Sequence, residues 1–371
     1  MHANVKAARR LVSSISSFTP RYEFPKYNMP LTDFKGHQLK ALRKFERLAP
    51  QMNMIIELRD IRAPLSTRNV IFDRIARKEN NLMKLVVYTR KDLMPNNKEY
   101  IRKLKNWHEE LGEKFVLLDC RNKIEVKNLL KILEWQNYEL EKNGGYLPMG
   151  YRALITGMPN VGKSTLINSL RAIFQGQDRE SMGGKRKKVA KTGAEAGVTR
   201  TTSEVIRVAS RNVESRNEIY LIDTPGIGVP GRISDHNRML ALALCGSVKN
   251  NLIDPIFQAD YLLYLMNLQN QNDGKEEFYP KSHTSPTNDI YDVLKRLQMH
   301  KSQNDKSTAI EWTNKWRLRG KGIIFDPEVL LSNDEFSYKK YVDDQLKKLG
   351  ELSYERFSKR LIGNPNQIFS K

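Results

Sequence analysis

The chain has 371 residues, which is enough for about two domains, and its 39% hydrophobic and 28% charged residues are an ordinary globular composition. No stretch approaches about 18 consecutive apolar residues, which argues against a transmembrane helix, and Cys120 and Cys245 provide neither a disulfide framework nor a metal cluster. The formal net charge of +21 predicts a polyanionic partner, with nucleic acid as the first candidate and an anionic membrane surface as the second.

Residues 1–22 are predicted to be an address and not part of the fold. The segment carries Lys6, Arg9, Arg10 and Arg21, four serines and no acid before Glu23. This composition is typical of a mitochondrial transit peptide. A disordered basic tail is the alternative.

Strands and helices are predicted to alternate over the next part of the chain. The pattern predicts strand 52–58, helix 66–79, strand 84–88, helix 96–112, strand 114–118, helix 124–142 and strand 151–156. Because each strand leads into a helix, we expect an α/β fold with a doubly wound, mostly parallel sheet.

A base-recognition element follows strand 84–88. Thr89, Arg90, Lys91 and Asp92 have the spacing of an N-K-x-D motif, with Asp92 placed to accept from both guanine N1–H and its exocyclic amine. Adenine does not offer that pair of donors. Thr89 stands where Asn is usual and Arg90 where Lys is usual, but a hydroxyl still hydrogen-bonds and a long basic side chain still covers a base. Guanine is therefore expected; a surface loop after a buried strand is the alternative.

A second base contact is expected after strand 114–118. The residues there are Asp119, Cys120 and Arg121, and the N–H of Cys120 is assigned to guanine O6 by position alone.

A phosphate-binding loop is complete between Gly157 and Ser164, with the pattern G-x-x-x-x-G-K-S. In such a loop the backbone N–H groups surround the phosphates, Lys163 reaches the terminal ones and Ser164 binds Mg²⁺. The loop lies between strand 151–156 and a helical pattern over 165–174, so the phosphates would meet a helix N-terminus. A chance glycine-rich turn is the alternative. The nucleotide contacts predicted from this loop are Asn160, Val161, Gly162, Lys163, Ser164 and Thr165.

A switch segment is predicted between the phosphate loop and the next strand. Thr199 is predicted to complete the Mg²⁺ shell when a γ-phosphate is present, with Thr201 as the alternative. The preceding basic, glycine-rich tract at 183–191 predicts a mobile loop, and both a solvated insertion and an RNA contact remain open.

The sequence Asp-Thr-Pro-Gly at 223–226 follows the apolar run 218–222. Asp223 can hold Mg²⁺ through water, and the N–H of Gly226 can meet a γ-phosphate. The pattern alone also suits an ordinary turn. Its position downstream of a full phosphate loop favours the nucleotide role.

The residues after about 250 are predicted to form a small, basic C-terminal α-helical domain. An apolar run lies at 260–266, and helical periodicity follows at 290–299, 306–319 and 338–362. Side chains of the middle helix either contact RNA or combine a packed core with a solvated basic face. Those side chains are Trp312, Trp316, Arg317 and Arg319. Nucleotide state could alter the docking of this domain.

The order of these motifs is permuted, because an ordinary GTPase begins at its phosphate loop and meets the base motif last. The permuted order and the motifs at 157–165 and 223–227 resemble the circularly permuted GTPases of the YlqF/RbgA type. The segment Arg59-Asp-Ile-Arg-Ala-Pro-Leu-Ser66 is similar to the D-A-R-x-P segment of that family. Within that family, the chain most resembles the mitochondrial ribosome-associated members. The resemblance covers roughly residues 30–250.

The resemblance implies GTP hydrolysis coupled to maturation of the large subunit of the mitochondrial ribosome. The implied partners are its rRNA and ribosomal proteins, in the mitochondrial matrix and often with peripheral contact to the inner membrane. It places a circularly permuted GTPase domain at 23–255 and the helical domain at 256–371. The protein is expected to be monomeric.

Hydrolysis needs a group that positions water, and Ile227 stands where many GTPases have glutamine. The resemblance offers two replacements. His37, in Phe34-Lys-Gly-His37, is similar to a family histidine implicated in hydrolysis, although Lys35 and Gln38 depart from that motif and a packing or rRNA role is the alternative. Asn160 resembles the asparagine with which related GTPases bind K⁺. The predicted catalytic residues are His37, Asn160 and Lys163.

Two other classes of function remain open on the sequence. One is a phosphate-loop enzyme such as a small-molecule kinase, against which the Asp92 element and the excess positive charge argue. The other is a nucleotide-regulated RNA-binding protein with negligible turnover.

Overall fold

Six strands form a single sheet in the part of the chain that the structure describes. The structure is a computed structural model, and it describes residues 18–34, 36–79, 82–144, 147–181, 205–209, 218–230, 233, 235–273, 286–298, 304–331 and 336–351. The strands are β1 (Met54–Asp60), β2 (Met83–Thr89), β3 (Lys114–Leu117), β4 (Tyr151–Gly157), β5 (Val205–Ala209) and β6 (Ile219–Asp223). Their order across the sheet is β3-β2-β1-β4-β6-β5.

The sheet is parallel except at one edge. β1 pairs in parallel with both β2 and β4, β2 pairs with β3 and β4 with β6, whereas β5 is antiparallel to β6. The predicted α/β fold with a mostly parallel sheet is confirmed, and β5 is a strand that the sequence pattern did not predict. Because β1 lies beside β4, the half of the chain with the base motif joins the half with the phosphate loop in the middle of the sheet.

Helices cover both faces of the sheet. They are α1 (Gly36–Leu48), α2 (Val70–Lys78), α3 (Lys98–Leu111), α4 (Lys123–Lys142), α5 (Lys163–Ser181), α6 (His236–Leu244), α7 (Pro255–Asp273), α8 (Ile290–Leu297), α9 (Asp305–Arg319), α10 (Pro327–Leu331) and α11 (Tyr338–Glu351). No helix among the described residues is long and apolar enough to cross a bilayer.

A capping side chain accounts for the late start of one helix. The helix predicted at 66–79 begins only at Val70, because Asn69 is extended and its side chain accepts a hydrogen bond from the N–H of Ile71. The strand predicted at 52–58 likewise lies two residues later, since a 3-10 turn occupies Ala49–Gln51. Predicted helices 290–299 and 306–319 correspond to α8 and α9.

Three predicted features fall wholly or partly outside the described residues. They are the switch threonines Thr199 and Thr201, the basic tract at 183–191, and the end of the helix predicted at 338–362, of which α11 is described as far as Glu351. The division between domains at residue 255 stays a prediction.

Two hydrophobic clusters lie on opposite faces of the sheet, as the alternation of side chains along β1 requires. Ile56 belongs to one cluster, which includes Tyr261 of α7 and Trp312 of α9. Ile55 belongs to the other, which includes Tyr338 of α11. The C-terminal helices therefore contribute to both halves of the core.

Buried charges join the end of β1 to α11. The guanidinium of Arg59 donates to Glu57 at 2.6 Å and to the hydroxyl of Tyr338 at 3.1 Å, and Arg68 donates to the same hydroxyl at 2.7 Å. Arg59 is fully buried, and the carboxylate of Glu57 offsets the cost of burying it. One aromatic hydroxyl thus serves two arginines from the first half of the chain.

The last residues of the predicted address segment contact the fold, so the prediction that the whole of 1–22 lies outside the fold is wrong at its C-terminal end. Arg21 donates to the buried carboxylate of Asp260 in α7 at 2.6 Å, and Tyr27 donates to the same carboxylate at 2.8 Å. Residues 1–17 lie outside the described part of the chain.

Candidate nucleotide site

The phosphate loop connects the end of β4 to the start of α5. Gly157 ends β4 with φ +142°, and a Cβ there would collide with the carbonyl oxygen of Leu58 in β1. Gly162 has φ +100° immediately before α5 begins at Lys163. Glycine is required at both positions because other residues rarely adopt these angles. The first turn of α5 therefore presents its N–H groups toward the loop, as an anion site needs.

Lys163 lies inside this loop. Its ammonium donates to the carbonyl of Met158 at 2.6 Å and to that of Gly157 at 3.2 Å, and its side chain is almost fully buried. Burial lowers the pKa of Lys163 to about 8, and the charge of Asp223 opposes that shift. The two carbonyls hold the side chain where terminal phosphates can replace them.

This pKa predicts that phosphate binding is linked to proton uptake. Bound phosphate favours the charged ammonium, so affinity should fall as the pH rises through about 8. Above that pH the number of protons taken up on GDP binding should be a substantial fraction of one, because free Lys163 is then largely neutral. Calorimetry in two buffers of different ionisation enthalpy measures this number. Lys163→Arg keeps its charge throughout, so its residual binding should take up none; equal uptake by both proteins would contradict the assignment.

The loop at the end of β6 packs directly against the phosphate loop. Thr224 donates from its hydroxyl to the carbonyl of Ile155 at 2.8 Å, and the N–H of Ile227 donates to the carbonyl of Gly157 at 3.2 Å. Gly226 approaches so closely that a Cβ would lie 2.8 Å from the Cα of Pro159. We call residues 223–228 the β6 loop. Asp223 and Gly226 are thereby brought to the phosphate loop, as the sequence predicted for a γ-phosphate sensor.

Ile227 is fully buried in the same cluster as α1. An aliphatic side chain inside the core can neither hydrogen-bond water nor reach the nucleotide. The expectation that residue 227 does not orient the nucleophile therefore agrees with its position.

The base-recognition element is attached to the phosphate loop by side-chain contacts. The hydroxyl oxygen of Thr89 lies 2.7 Å from the carbonyl of Val161 and 3.1 Å from that of Arg59, and its one proton donates to one of them at a time. Arg90 donates to the carbonyl of Asn160 at 3.5 Å. Thr89, which stands where an N-K-x-D motif has asparagine, thus links the end of β2 to the phosphate loop.

Arg90 and Asn160 share an uncommon backbone conformation. They have φ of 57° and 58°, and no other non-glycine residue in the described chain has positive φ. Such angles are strained for an arginine and persist where the surroundings hold them. Here the Nε of Arg90 lies 3.2 Å from the carboxylate of Asp60, at the end of β1. The strain therefore lies where the two halves of the site meet.

The remaining base residues lie on the same side of the sheet. Asp92 is partly exposed, with the exposed Arg121 at 4.0 Å, and Lys91 pairs with Glu125 of α4 at 2.7 Å. Cys120 is buried near Gly162, and burial raises the pKa of its thiol to about 12, so the thiol is neutral. The pocket predicted from Asp92 and Cys120 thus borders the phosphate loop.

The turn after α6 holds the outer side of the phosphate loop, a contact that sequence reasoning missed. The amide of Asn160 donates to the carbonyl of Gly246 at 2.8 Å, and the hydroxyl of Ser247 donates to the carbonyl of Pro159 at 2.8 Å. Gly246 has φ +71°, and that glycine after an apolar helical run was the available signal of a turn.

Arg317 and Arg62 connect α9 to these elements. Arg317 donates to the carbonyls of Ala243 and Leu244 at the end of α6, at 2.8 and 3.1 Å. Arg62 is fully buried, forms two hydrogen bonds to the carboxylate of Asp60 at 3.0 and 2.8 Å, and donates to the carbonyl of Arg317 at 2.9 Å. Both arginines satisfy carbonyls that a helix end leaves unpaired.

This geometry decides between the two interpretations of the middle C-terminal helix. Trp312 is buried in the core and Trp316 packs against it, so the packed-core reading of the tryptophans is correct and base stacking on Trp312 is excluded. Arg317 is engaged by backbone carbonyls, which removes it from an RNA-binding role, whereas Arg319 is exposed.

His37 and Gln38 occupy the first turn of α1. His37 is exposed, while Gln38 is buried and bridges two segments. The Oε1 of Gln38 accepts from the N–H of Gly228 at 2.6 Å, and its Nε2 donates to the carbonyl of Asp33 at 2.9 Å. Asn69 donates to the carbonyl of Gly228 at 2.9 Å from the other side. The start of α1 is thus bonded to the β6 loop, beside the predicted catalytic histidine.

Comparison with known proteins identifies the same class of site. A family model described as 50S ribosome-binding GTPase matches residues 152–305. The chain is 82% identical over 369 residues to Mitochondrial GTPase 1 of Saccharomyces cerevisiae, with 100% of both chains covered. It is 31% identical to Mitochondrial ribosome-associated GTPase 1 of Xenopus tropicalis over 75% of this chain and 82% of that one. It is 32% identical to Ribosome biogenesis GTPase A of Bacillus cereus, over 63% and 70% of the two chains.

The family model matches only the part of the chain from the phosphate-loop strand onward. It begins at β4 and leaves out β1, β2 and β3, which carry the base motif. A chain whose base-recognition half precedes its phosphate loop would be matched in this way.

Proposed function

Because the chain belongs to the Mitochondrial GTPase 1 family of circularly permuted GTPases, we propose that its hydrolysis of GTP serves maturation of the large subunit of the mitochondrial ribosome. The observation that carries the proposal is the attachment of Thr89 and Arg90 to the backbone of the phosphate loop. This attachment supports the proposal that the guanine-type element and the phosphate loop act on one nucleotide. The net charge of +21 supports an RNA-rich partner.

Different site residues are proposed to bind the base, the phosphates and Mg²⁺. Asp92 and the N–H of Cys120 bind guanine, while Lys163 and the N–H groups of residues 160–165 bind the phosphates. The hydroxyl of Ser164 and the carboxylate of Asp223 are hard oxygen donors of the kind that Mg²⁺ prefers, and Thr199 would join them in the GTP state. When bound, Mg²⁺ neutralises charge that develops on the phosphates.

Two residues are proposed to supply what Ile227 cannot. His37 is exposed beside the β6 loop, where it can meet water at the γ-phosphate. The amide of Asn160 is held by Gly246, and its oxygen is proposed as a ligand for K⁺. K⁺ would add positive charge where an arginine finger acts in other GTPases.

The proposal also covers location and assembly. We place the protein in the mitochondrial matrix, with residues 1–22 as its address, as a monomer in peripheral contact with the inner membrane. Large-subunit rRNA and ribosomal proteins are the proposed partners.

Turnover should be slow for the protein alone and should rise with K⁺ and with large subunits. The ceiling for such activation is about 10³–10⁵-fold, the range that arginine fingers supply. The measurement compares GTP hydrolysis in KCl and in NaCl, with and without mitochondrial large subunits. Equal rates in all four conditions would remove the activation scheme, and binding to the subunits without hydrolysis would favour a regulated RNA-binding protein.

Asp92→Asn should shift nucleotide preference from guanine toward xanthine. The amide replaces a charged acceptor with a donor that suits the second carbonyl of xanthine, so GDP affinity should fall about 10–100-fold, the range for a lost charge-assisted hydrogen bond. Competition binding with GDP and XDP measures the change. Lys127→Gln is the matched control, because Lys127 is exposed on α4 outside the base motif and its loss should leave selectivity intact. Unchanged selectivity in Asp92→Asn would remove Asp92 from the base site.

A further inference from the structure

The outward face of α1 carries four basic side chains in one stripe. Lys40, Arg43, Lys44 and Arg47 are spaced at three and four residues, so they follow one face of the helix, and we call them the basic stripe. Lys40, Arg43 and Arg47 are exposed, and Lys44 is half-buried. The acids of the described chain form no salt bridge with any of the four.

Several basic side chains inside the described fold, unlike those of the stripe, have carboxylate partners. Arg62, Arg68 and Lys84 are each paired with a carboxylate. A stripe that the described fold leaves without counter-ions is available to a partner that brings its own negative charge.

The apolar face of α1 is already occupied. Leu42 and Phe45 are fully buried, and the ring of Phe45 lies 5.2 Å from that of Phe72 in α2. A helix that binds a membrane by insertion needs a free apolar face. Only the charges of α1 are therefore available, which favours a phosphate backbone over a bilayer.

The basic stripe begins one turn from the nucleotide site. Gln38 lies at the head of the same helix and accepts from the N–H of Gly228 in the β6 loop. Leu42, Phe45 and Ile227 share one hydrophobic cluster, so α1 and the β6 loop are packed as one unit. A partner that fixes the position of the basic stripe therefore also restrains the β6 loop, through the Gln38 hydrogen bond and the shared hydrophobic cluster.

We propose that the basic stripe binds the phosphate backbone of large-subunit RNA, and that Gln38 transmits this docking to the β6 loop. The inference rests on the proposed function, since it names the surface through which the ribosomal partner acts. Gln38 is a positioning residue in this scheme. RNA docked on α1 fixes the N-terminal turn that carries His37, and the Gln38 hydrogen bond fixes the β6 loop against it.

The first test removes the three exposed charges of the stripe and leaves the half-buried Lys44 in place. Lys40, Arg43 and Arg47 are replaced by glutamine in one variant of the full-length protein. The matched control makes the same substitution at Lys127, Lys131 and Lys142, which are exposed on α4 and form no salt bridge within the described chain. Co-sedimentation with mitochondrial large subunits is measured from low to high KCl, together with basal GTP turnover.

The α1 variant should bind subunits at least tenfold more weakly, and the slope of log affinity against log salt should fall by about 2–3, one counterion release per lost contact. Its basal turnover should stay at the wild-type value, and the α4 variant should bind normally. Normal subunit binding by the α1 variant would overturn the proposal while leaving the proposed function standing. Failure of the wild-type protein to bind subunits would instead overturn the proposed function.

Anionic vesicles distinguish a membrane from RNA as the source of phosphate. Vesicles of phosphatidylserine and phosphatidylcholine should bind the α1 and α4 variants equally, because the two variants lose the same charge. If the α1 variant loses the vesicles but keeps the subunits, the stripe is a membrane site and the RNA proposal is wrong.

The second test separates docking from transmission. Gln38→Leu removes both hydrogen bonds, so subunit affinity should be retained while the ratio of stimulated to basal turnover falls at least tenfold. Gln38→Glu keeps an acceptor for the N–H of Gly228 and should retain more of the stimulation. Wild-type stimulation in Gln38→Leu would exclude Gln38 as the link, whereas a fall in subunit affinity equal to that of the α1 variant would reduce its role to holding the helix.

Discussion

Arg62→Met is expected to lower the free energy of unfolding by about 3–5 kcal/mol, the range for breaking one side of a buried ion pair. Arg62 and Asp60 are both fully buried, so the substitution leaves a carboxylate in the core. It also removes the donor to the carbonyls of Trp316 and Arg317 at the end of α9. Arg90 remains 3.2 Å from Asp60, which places the expected loss toward the lower end. Urea unfolding gives the midpoint and the slope from which the loss is calculated.

Two further variants test the cause of that loss. Adding Asp60→Asn should recover part of it, because the uncompensated charge is then gone, and the double-mutant cycle should give a coupling of at least about 1 kcal/mol. Lys306→Met removes an exposed pair with Asp254 and should leave the midpoint unchanged. An unchanged midpoint in Arg62→Met would contradict this prediction. It would mean that the cost of burying Arg62 and Asp60 cancels the attraction between their charges.

Gly226→Ala should lower kcat/KM for GTP by about 10²–10³-fold, the usual effect of displacing one N–H donor from the transition-state charge. The added Cβ would lie 2.8 Å from the Cα and 2.9 Å from the N of Pro159, and both are backbone atoms that cannot turn aside. The β6 loop must therefore move away from the phosphate loop, and the N–H at position 226 moves with it. Single-turnover hydrolysis with excess protein separates this effect from product release.

Gly228→Ala is the matched control within the same loop. A Cβ at residue 228 would meet the end of the Gln38 side chain at 2.7 Å, and a flexible side chain can rotate away. Its effect on kcat/KM should be clearly smaller. Equal effects of the two substitutions would show that the loop as a whole, and not the approach of Gly226 to Pro159, controls hydrolysis.

The parts of the site that sequence could predict are those set by local backbone. The phosphate loop and the ends of β2 and β6 depend on glycine angles and on alternating strands and helices, which a short window contains. The predicted sheet was therefore confirmed, with boundaries moved by a capping asparagine and a 3-10 turn. The contact of Thr89 could not be predicted from a short window, because its hydroxyl bonds to the carbonyl of Val161, 72 positions away.

The contacts that sequence could not predict join side chains to distant carbonyls. Gln38 reaches Gly228 across 190 positions and Ser247 reaches Pro159 across 88, and neither contact leaves a periodic pattern. Arg317 shows the same limit, because an arginine that caps a neighbouring helix looks like a solvated one in sequence. The sequence left an RNA contact and a solvated face open for it, and only the packing of α9 against the end of α6 shows its carbonyl partners.

The hydroxyl of Tyr338 has a consequence for how the chain acquires its structure. It is bonded to Arg59 and Arg68, which precede it by 279 and 270 positions. Synthesis delivers the N-terminal half first, and contacts so distant in sequence form late because a large loop must close. Carboxylates from the first third of the chain already pair with these two arginines, but the hydroxyl that both of them also contact is made only near the end of the described chain. Newly made chains should depend on chaperones until Tyr338 has been synthesised, and truncation before residue 338 should leave a molecule that binds nucleotide poorly and is cleared by proteases.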